Sequence, residues 1–98
     1  MNIQAMMKQA QKLQKEMMNA KEEIDNKTYT GTNSFVTVNI KGDKTIENIK
    51  INQEQLDKED IEMLEDILTV AINNAMKEID KETEQKMGKY TQGMPGLF

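Results

Sequence analysis

The residues best equipped for chemistry in this sequence are its lysines. Thirteen cationic side chains occur in 98 residues, every one of them lysine, and His, Cys and Trp are absent. Without His or Cys there is no Ser-His or Cys-His pair, no imidazole base near neutral pH and no thiolate or imidazole metal ligand. Bidentate arginine clamps are missing too. Paired carboxylates remain, but they need a cleft that so short a chain could scarcely enclose. The composition therefore predicts a non-enzyme with no cofactor, no metal and no small-molecule substrate. What lysines can do is pair with phosphate oxygens as point charges.

Their spacing sharpens that reading. Lys8, Lys12 and Lys15, with Gln4, Gln11 and Asn19, recur at steps of three and four, which puts them on one face of a helix. Glutamine and asparagine can add hydrogen bonds to a phosphate backbone. The competing reading is an ordinary solvated helix face. A second group, Lys77, Lys81, Lys86 and Lys89, is interleaved with Glu78, Asp80, Glu82 and Glu84, a pattern of intrahelical ion pairs. Lys86 and Lys89 lie beyond the last of those acids and are the better candidates. Against the lysines stands the stretch 54–66, where Glu54, Asp57, Glu59, Asp60, Glu62, Glu65 and Asp66 face Lys58 alone. The net charge of −4 thus averages a basic beginning and an acidic middle.

Two other chemistries are weighed and set aside. Nine methionines, including Met6-Met7 and Met17-Met18, invite copper, but most sit on or beside apolar stripes, where flexible packing explains them. The run Asp57–Glu62 lacks the glycine and spacing of a calcium loop, and helix capping accounts for it.

The elements that must position these groups follow from periodicity. Ile3, Met6, Ala10, Leu13, Met17, Ala20 and Ile24 form an a/d stripe, so residues 1–26 are predicted as one long amphipathic helix. Tyr29, Gly31, Asn33 and Ser34 bring turn formers, and beyond them Val36, Val38 and Ile40 alternate with Thr37 and Asn39, the period-two mark of a half-buried strand. Residues 41–44 read as a turn and Thr45–Ile51 as a second strand. The step of three between Ile46 and Ile49 suggests a bulge or a late strand start, and residues 27–30 offer a third, short strand. After a connection at Asn52–Leu56, Asp57 or Asp60 caps a second helix with a face of Ile61, Leu64, Leu68, Ala71, Ile72, Ala75 and Ile79. Gly88 is a plausible stop. Asn73 and Asn74, poor helix formers, imply hydrogen bonds to the sheet or to a second copy. The fold class is α/β in the α+β sense: helix, antiparallel two- to three-stranded meander, helix. A single domain is expected over 1–90, followed by a tail at 91–98 whose Leu97 and Phe98 could dock on a partner or simply fray. Two long helices carry more apolar stripe than so small a sheet can cover, which argues for a homodimer. Apolar runs reach no more than three residues, as at Val70-Ala71-Ile72, far short of a membrane span, and the chain reads as cytoplasmic.

The succession of words along the chain resembles the YbaB/EbfC family of nucleoid-associated proteins. Those words are Lys8-Gln9-Ala10-Gln11-Lys12-Leu13-Gln14, Val36-Thr37-Val38-Asn39-Ile40-Lys41-Gly42, Leu64-Glu65-Asp66-Ile67-Leu68, Ala71-Ile72-Asn73-Asn74-Ala75 and Met94-Pro95-Gly96-Leu97. The resemblance implies a dimer joined through its sheet region, helices protruding like tweezer arms, and sequence-tolerant binding of double-stranded DNA in the nucleoid. Under it the DNA-binding candidates are Lys8, Gln11, Lys12, Lys15, Lys86 and Lys89, acting through backbone electrostatics. The rival expectation is a protein-binding adaptor, or a chaperone similar to prefoldin, gripping apolar segments with the Met-bearing stripes.

Overall fold

The computed structural model describes residues 2–91, with side-chain environments through residue 90. The Met94–Phe98 tail lies outside the described residues. Helix α1 runs Ile3–Asn26, strands β1, β2 and β3 run Thr28–Asn33, Val36–Lys41 and Ile46–Ile51, and helix α2 runs Ile61–Thr91 after a single 3-10 turn at Lys58–Asp60. The α+β expectation holds, with the sheet in the order β1-β2-β3 and both pairings antiparallel.

Each boundary has a local cause. Asn2 starts α1 by accepting hydrogen bonds at Oδ1 from the backbone N–H of Gln4 and Ala5. The Asp57 N–H donates to the Asp60 carboxylate at 3.0 Å, and the Asp60 N–H donates to the Asp57 carbonyl at 2.9 Å. Both predicted capping aspartates therefore act together, one turn before α2 becomes regular. Residues 31–33, read as turn formers, instead complete β1, and a two-residue turn at Ser34-Phe35 closes the hairpin with Ser34 at φ 51°. The bulge is where the sequence placed it: Ile40 pairs with Ile46 but Asn39 with Asn48, leaving Glu47 as the extra residue. That insertion restores Ile46, Ile49 and Ile51 to one face. Gly88 does not end α2, which continues to Thr91. A glycine costs a helix interior only about 1 kcal/mol, less than packing on the preceding turn supplies.

Val36, Val38 and Ile40 are fully buried under α2. The matching row on the helix is Ile67, Ala71, Ala75, Ile79 and Met87. Members four residues apart advance about 400° per step, so the row winds round the helix. Its first half faces the sheet, and its second half meets α1, where Ile79 and Met87 line a cleft with Ile24. The winding explains two departures from the predicted face: Ile67 belongs to the core, and Ile61, at the first helical residue, is 51% exposed. Asn33 and Thr32 at the end of β1 bond to Ile67 and Asn74, while Tyr29 near its start meets Glu82. Strand β1 thus runs antiparallel to α2. The Asn74 bond to the Thr32 carbonyl, 3.1 Å, is the sheet contact anticipated for that residue, whereas Asn73 is exposed.

Candidate nucleic-acid interface

Only the last third of α1 is held. Ile24 is buried and Met17 and Ala20 are partly covered, but every residue from Asn2 to Glu16 is exposed. The molecule measures 71 × 21 × 14 Å. Its long dimension exceeds the roughly 46 Å of a 31-residue α2, as expected for a helix running out as an arm. The predicted a/d stripe therefore splits: Met17, Ala20 and Ile24 pack as expected, while Ile3 and Leu13 stay 70% and 48% exposed.

Helix geometry aims the lysines. At about 100° per residue, Gln4, Lys8, Gln11, Lys12, Lys15 and Asn19 fall within an arc of roughly 100°. The centre of that arc lies nearly opposite the side on which Met17, Ala20 and Ile24 meet the body. The stripe thus points away from the body, and all six residues are exposed. Among the described residues, none of Lys8, Lys12 and Lys15 is in an ion pair. Lys8 and Lys15 are about 10.5 Å apart along the axis, close to three base-pair rises of about 3.4 Å. Like charges at i,i+4 and i,i+3 cost a helix about 0.2–0.5 kcal/mol per pair, a cost that a bound polyanion would reverse. Because β1 runs antiparallel to α2 and α1 precedes β1, the acidic start of α2 lies at the far end from the arm.

The second lysine group is differently placed. Lys86 lies 3.3 Å from Glu82, and the Lys89 ammonium sits 4.9 Å from the centre of the Tyr90 ring. Lys77 and Lys81 are exposed without an ion pair among the described residues. Of the six candidates, four share the arm face and two sit on α2, one of them engaged by a carboxylate.

Sequence reasoning missed the cluster that fixes the base of the arm. Glu82 accepts from Lys27 Nζ at 2.9 Å and from the Tyr29 hydroxyl, and Lys27 also lies 5.4 Å from the Tyr29 ring centre. Glu82 thereby ties the residue just after α1, the start of β1 and α2 together. No local pattern announces it, since its members are more than fifty residues apart. Burial and the Glu82 hydrogen bond raise the Tyr29 hydroxyl well above the ordinary tyrosine range. The hydrogen bonds from Tyr29 and then Lys27 hold the Glu82 carboxyl down at about 2. A depressed acid contributes stability that is complete above its unfolded pKa and lost as pH falls through the folded one. Glu82→Gln is expected to lower stability by about 1–2 kcal/mol at pH 7, a figure reduced for partial solvent exposure. The difference from the parent chain should shrink as pH falls from about 4.5 towards about 2, as acid titrations followed by circular dichroism would show.

Among the described residues, no group of three or more acidic, His or Cys side chains is placed to hold a metal. Among the same residues, no helix is long and apolar enough to cross a membrane.

Known proteins match this chain along nearly its whole length. A nucleoid-associated protein of Lactococcus lactis subsp. cremoris (strain MG1363) is 50% identical over 97 residues, covering 97% of this chain and 98% of its own. One from Enterococcus faecalis (strain ATCC 700802 / V583) is 47% identical over 98 residues, 98% of this chain and 94% of the relative. One from Clostridium kluyveri is 43% identical over 101 residues, 99% and 89%. The sequence also matches the YbaB/EbfC DNA-binding family across residues 1–94, which takes in the arm, the sheet and α2. With the helix–meander–helix order and the exposed lysine arm already established, that coverage shows that the chain belongs to the YbaB/EbfC DNA-binding family.

Proposed function

We propose that this protein is a nucleoid-associated DNA-binding dimer that engages duplex DNA through the lysine face of α1. The observation that carries this reading is the placement of Lys8, Lys12 and Lys15: exposed, outside any ion pair among the described residues, and aimed away from the body. Family membership and the names of the relatives point the same way. Contacts of this kind neutralise phosphates and release counterions, so they are steep in salt and indifferent to sequence. Without arginine, the rigid planar fork best suited to reading guanine is missing. With two Tyr and two Phe in the whole chain, there is little platform for stacking single strands. Six arm lysines in a dimer imply a slope of log K against log salt of about −5. Titrating a labelled duplex at several salt concentrations tests the reading, and a slope near zero would refute it.

Dimerisation is supported by an apolar flank that the protomer leaves open. Ile46, Ile49 and Ile51 share the sheet face of Ile40, Val38 and Val36, with which they pair. All three are nevertheless exposed, because α2 covers β1 and β2 only. Beside them, Leu68, Ile72 and Met76 are half-buried on α2. A second copy seated there would cover both rows and the free edge of β3. Ile49→Glu is expected to halve the mass measured by light scattering while the protomer stays folded, since Ile49 is 43% exposed. The DNA salt slope should then fall to about −3, from the three lysines of one arm.

A further inference from the structure

The outer part of the arm carries a second apolar surface, separate from the open sheet flank. Ile3, Met6, Ala10 and Leu13 are exposed and continue the line of Met17, Ala20 and Ile24, which the body covers. We infer that this outer stripe pairs with the same stripe of another copy, arm against antiparallel arm, joining one dimer to the next.

Three observations favour a second copy over any other occupant. First, the flanks of the seam carry little charge: Met7 and Gln14 lie on one side, Asn2 and Gln9 on the other, and Glu16, next on that side, would fall near Asn2 of the second arm, so two copies meet without like-charge repulsion. Second, the side chains are self-complementary in size. With Ile3 against Leu13 of a second arm, Met6 falls against Ala10, Ala10 against Met6 and Leu13 against Ile3. In the two inner pairs a long side chain then opposes a short one, and in the two outer pairs Ile meets Leu, about a two-fold axis. Third, the surface is continuous with a helix–helix seam that the chain already makes, so the paired arm prolongs an existing line of packing.

The pairing has a consequence for the proposed DNA binding, on whose correctness that consequence alone rests. The lysine face lies nearly opposite the seam, so two paired arms hold their lysines back to back. Helices packed about 8–10 Å apart would present the two stripes on opposite outer sides. Such a unit grips two separate duplexes and bridges them, whereas an unpaired arm grips one.

The experiment uses the full chain and the double variant Met6→Gln, Leu13→Gln, which adds no charge and alters only exposed positions. Without DNA, sedimentation of the parent chain should show a reversible rise from dimer to larger species with concentration. The variant should remain at the smaller species with unchanged helix content. The chain has no cysteine, so separately introduced Met6→Cys and Ala10→Cys report register: mixed, they should cross-link more than either does alone. A parent mass independent of concentration, or cross-linking without preference for the mixture, overturns the inference whatever the DNA result. With DNA, capture of a labelled duplex by a bead-bound one should fall about tenfold or more in the Gln variant. Its affinity for a single duplex should change less than about threefold. Equal loss of both would also refute arm pairing as the source of bridging. Failure of the parent to bind any DNA refutes the proposed function instead and leaves the mass and cross-linking tests standing.

Discussion

Replacing Lys8, Lys12 and Lys15 together by Glu is expected to weaken duplex binding by about a thousandfold or more near physiological salt. On the proposed dimer, six favourable phosphate contacts would be lost and replaced by repulsion. Even about 0.7 kcal/mol for each contact sums to roughly 4 kcal/mol. The Gln version removes the attraction without adding repulsion, so it isolates the counterion effect: the salt slope should drop from about −5 towards zero. The loss should be the same on unrelated sequences, because backbone contacts carry no sequence information. Folding should be untouched, since the three side chains are exposed and unpaired among the described residues. In the Gln version, relief of like-charge neighbours should even raise helix stability by a few tenths of a kcal/mol.

The same titration separates the two lysine groups. Lys86→Gln and Lys89→Gln should each cost about threefold or less, because Lys86 is engaged by Glu82 and Lys89 lies over Tyr90. If the α2 lysines proved dominant and the arm triple variant lost only twofold, the arm would not be the DNA-binding element.

How much of this was legible in the sequence differs by element. The lysine face was, because a helix of known period places every side chain by arithmetic. The strand face of Val36, Val38 and Ile40 and the bulge before Ile49 were legible for the same reason. Burial was less so. Periodicity says which residues share a face, not whether anything covers it. The stripe of α1 was read as one seam, yet the body covers only its inner part and leaves Ile3 to Leu13 bare. On α2, an even reading of the apolar positions passed over Ile67, since the covering element changes from sheet to helix along the length. The Glu82 cluster was invisible, because no local rule links a lysine after one helix to a glutamate deep in the next. Glycines misled in both directions. Gly88 looked like a stop and lies inside a helix, while Gly31 looked like loop and sits in a strand under α2.

Gly31 shows why that last error matters. A Cβ built there would lie 2.1 Å from the Ala71 carbonyl oxygen, 2.5 Å from the Ala75 nitrogen and 2.9 Å from the Ala75 Cβ. Two of these are helix backbone atoms, which cannot swing aside as the tip of a long side chain would. Gly31→Ala must therefore lift α2 off β1 and loosen its cover over Val36 and Val38. A cost above about 3 kcal/mol is expected, a large share of the 5–15 kcal/mol that holds a domain together. In thermal unfolding this should appear as a fall of about 12–24 °C. Gly88→Ala supplies the comparison, since its Cβ would meet nothing within 4 Å and helix propensity favours alanine by up to about 1 kcal/mol. The two substitutions make the same chemical change and should move Tm in opposite directions. DNA affinity at a temperature where both variants are folded adds a further reading. Glu82 and the core at Ile24 set the arm against α2, and α2 is set against the sheet through Gly31. A lifted helix would therefore spoil the fixed spacing of two arms in a dimer, weakening DNA binding in the Gly31 variant but not in the Gly88 variant. Unchanged Tm in Gly31→Ala would mean that α2 does not approach β1 as closely as this packing requires.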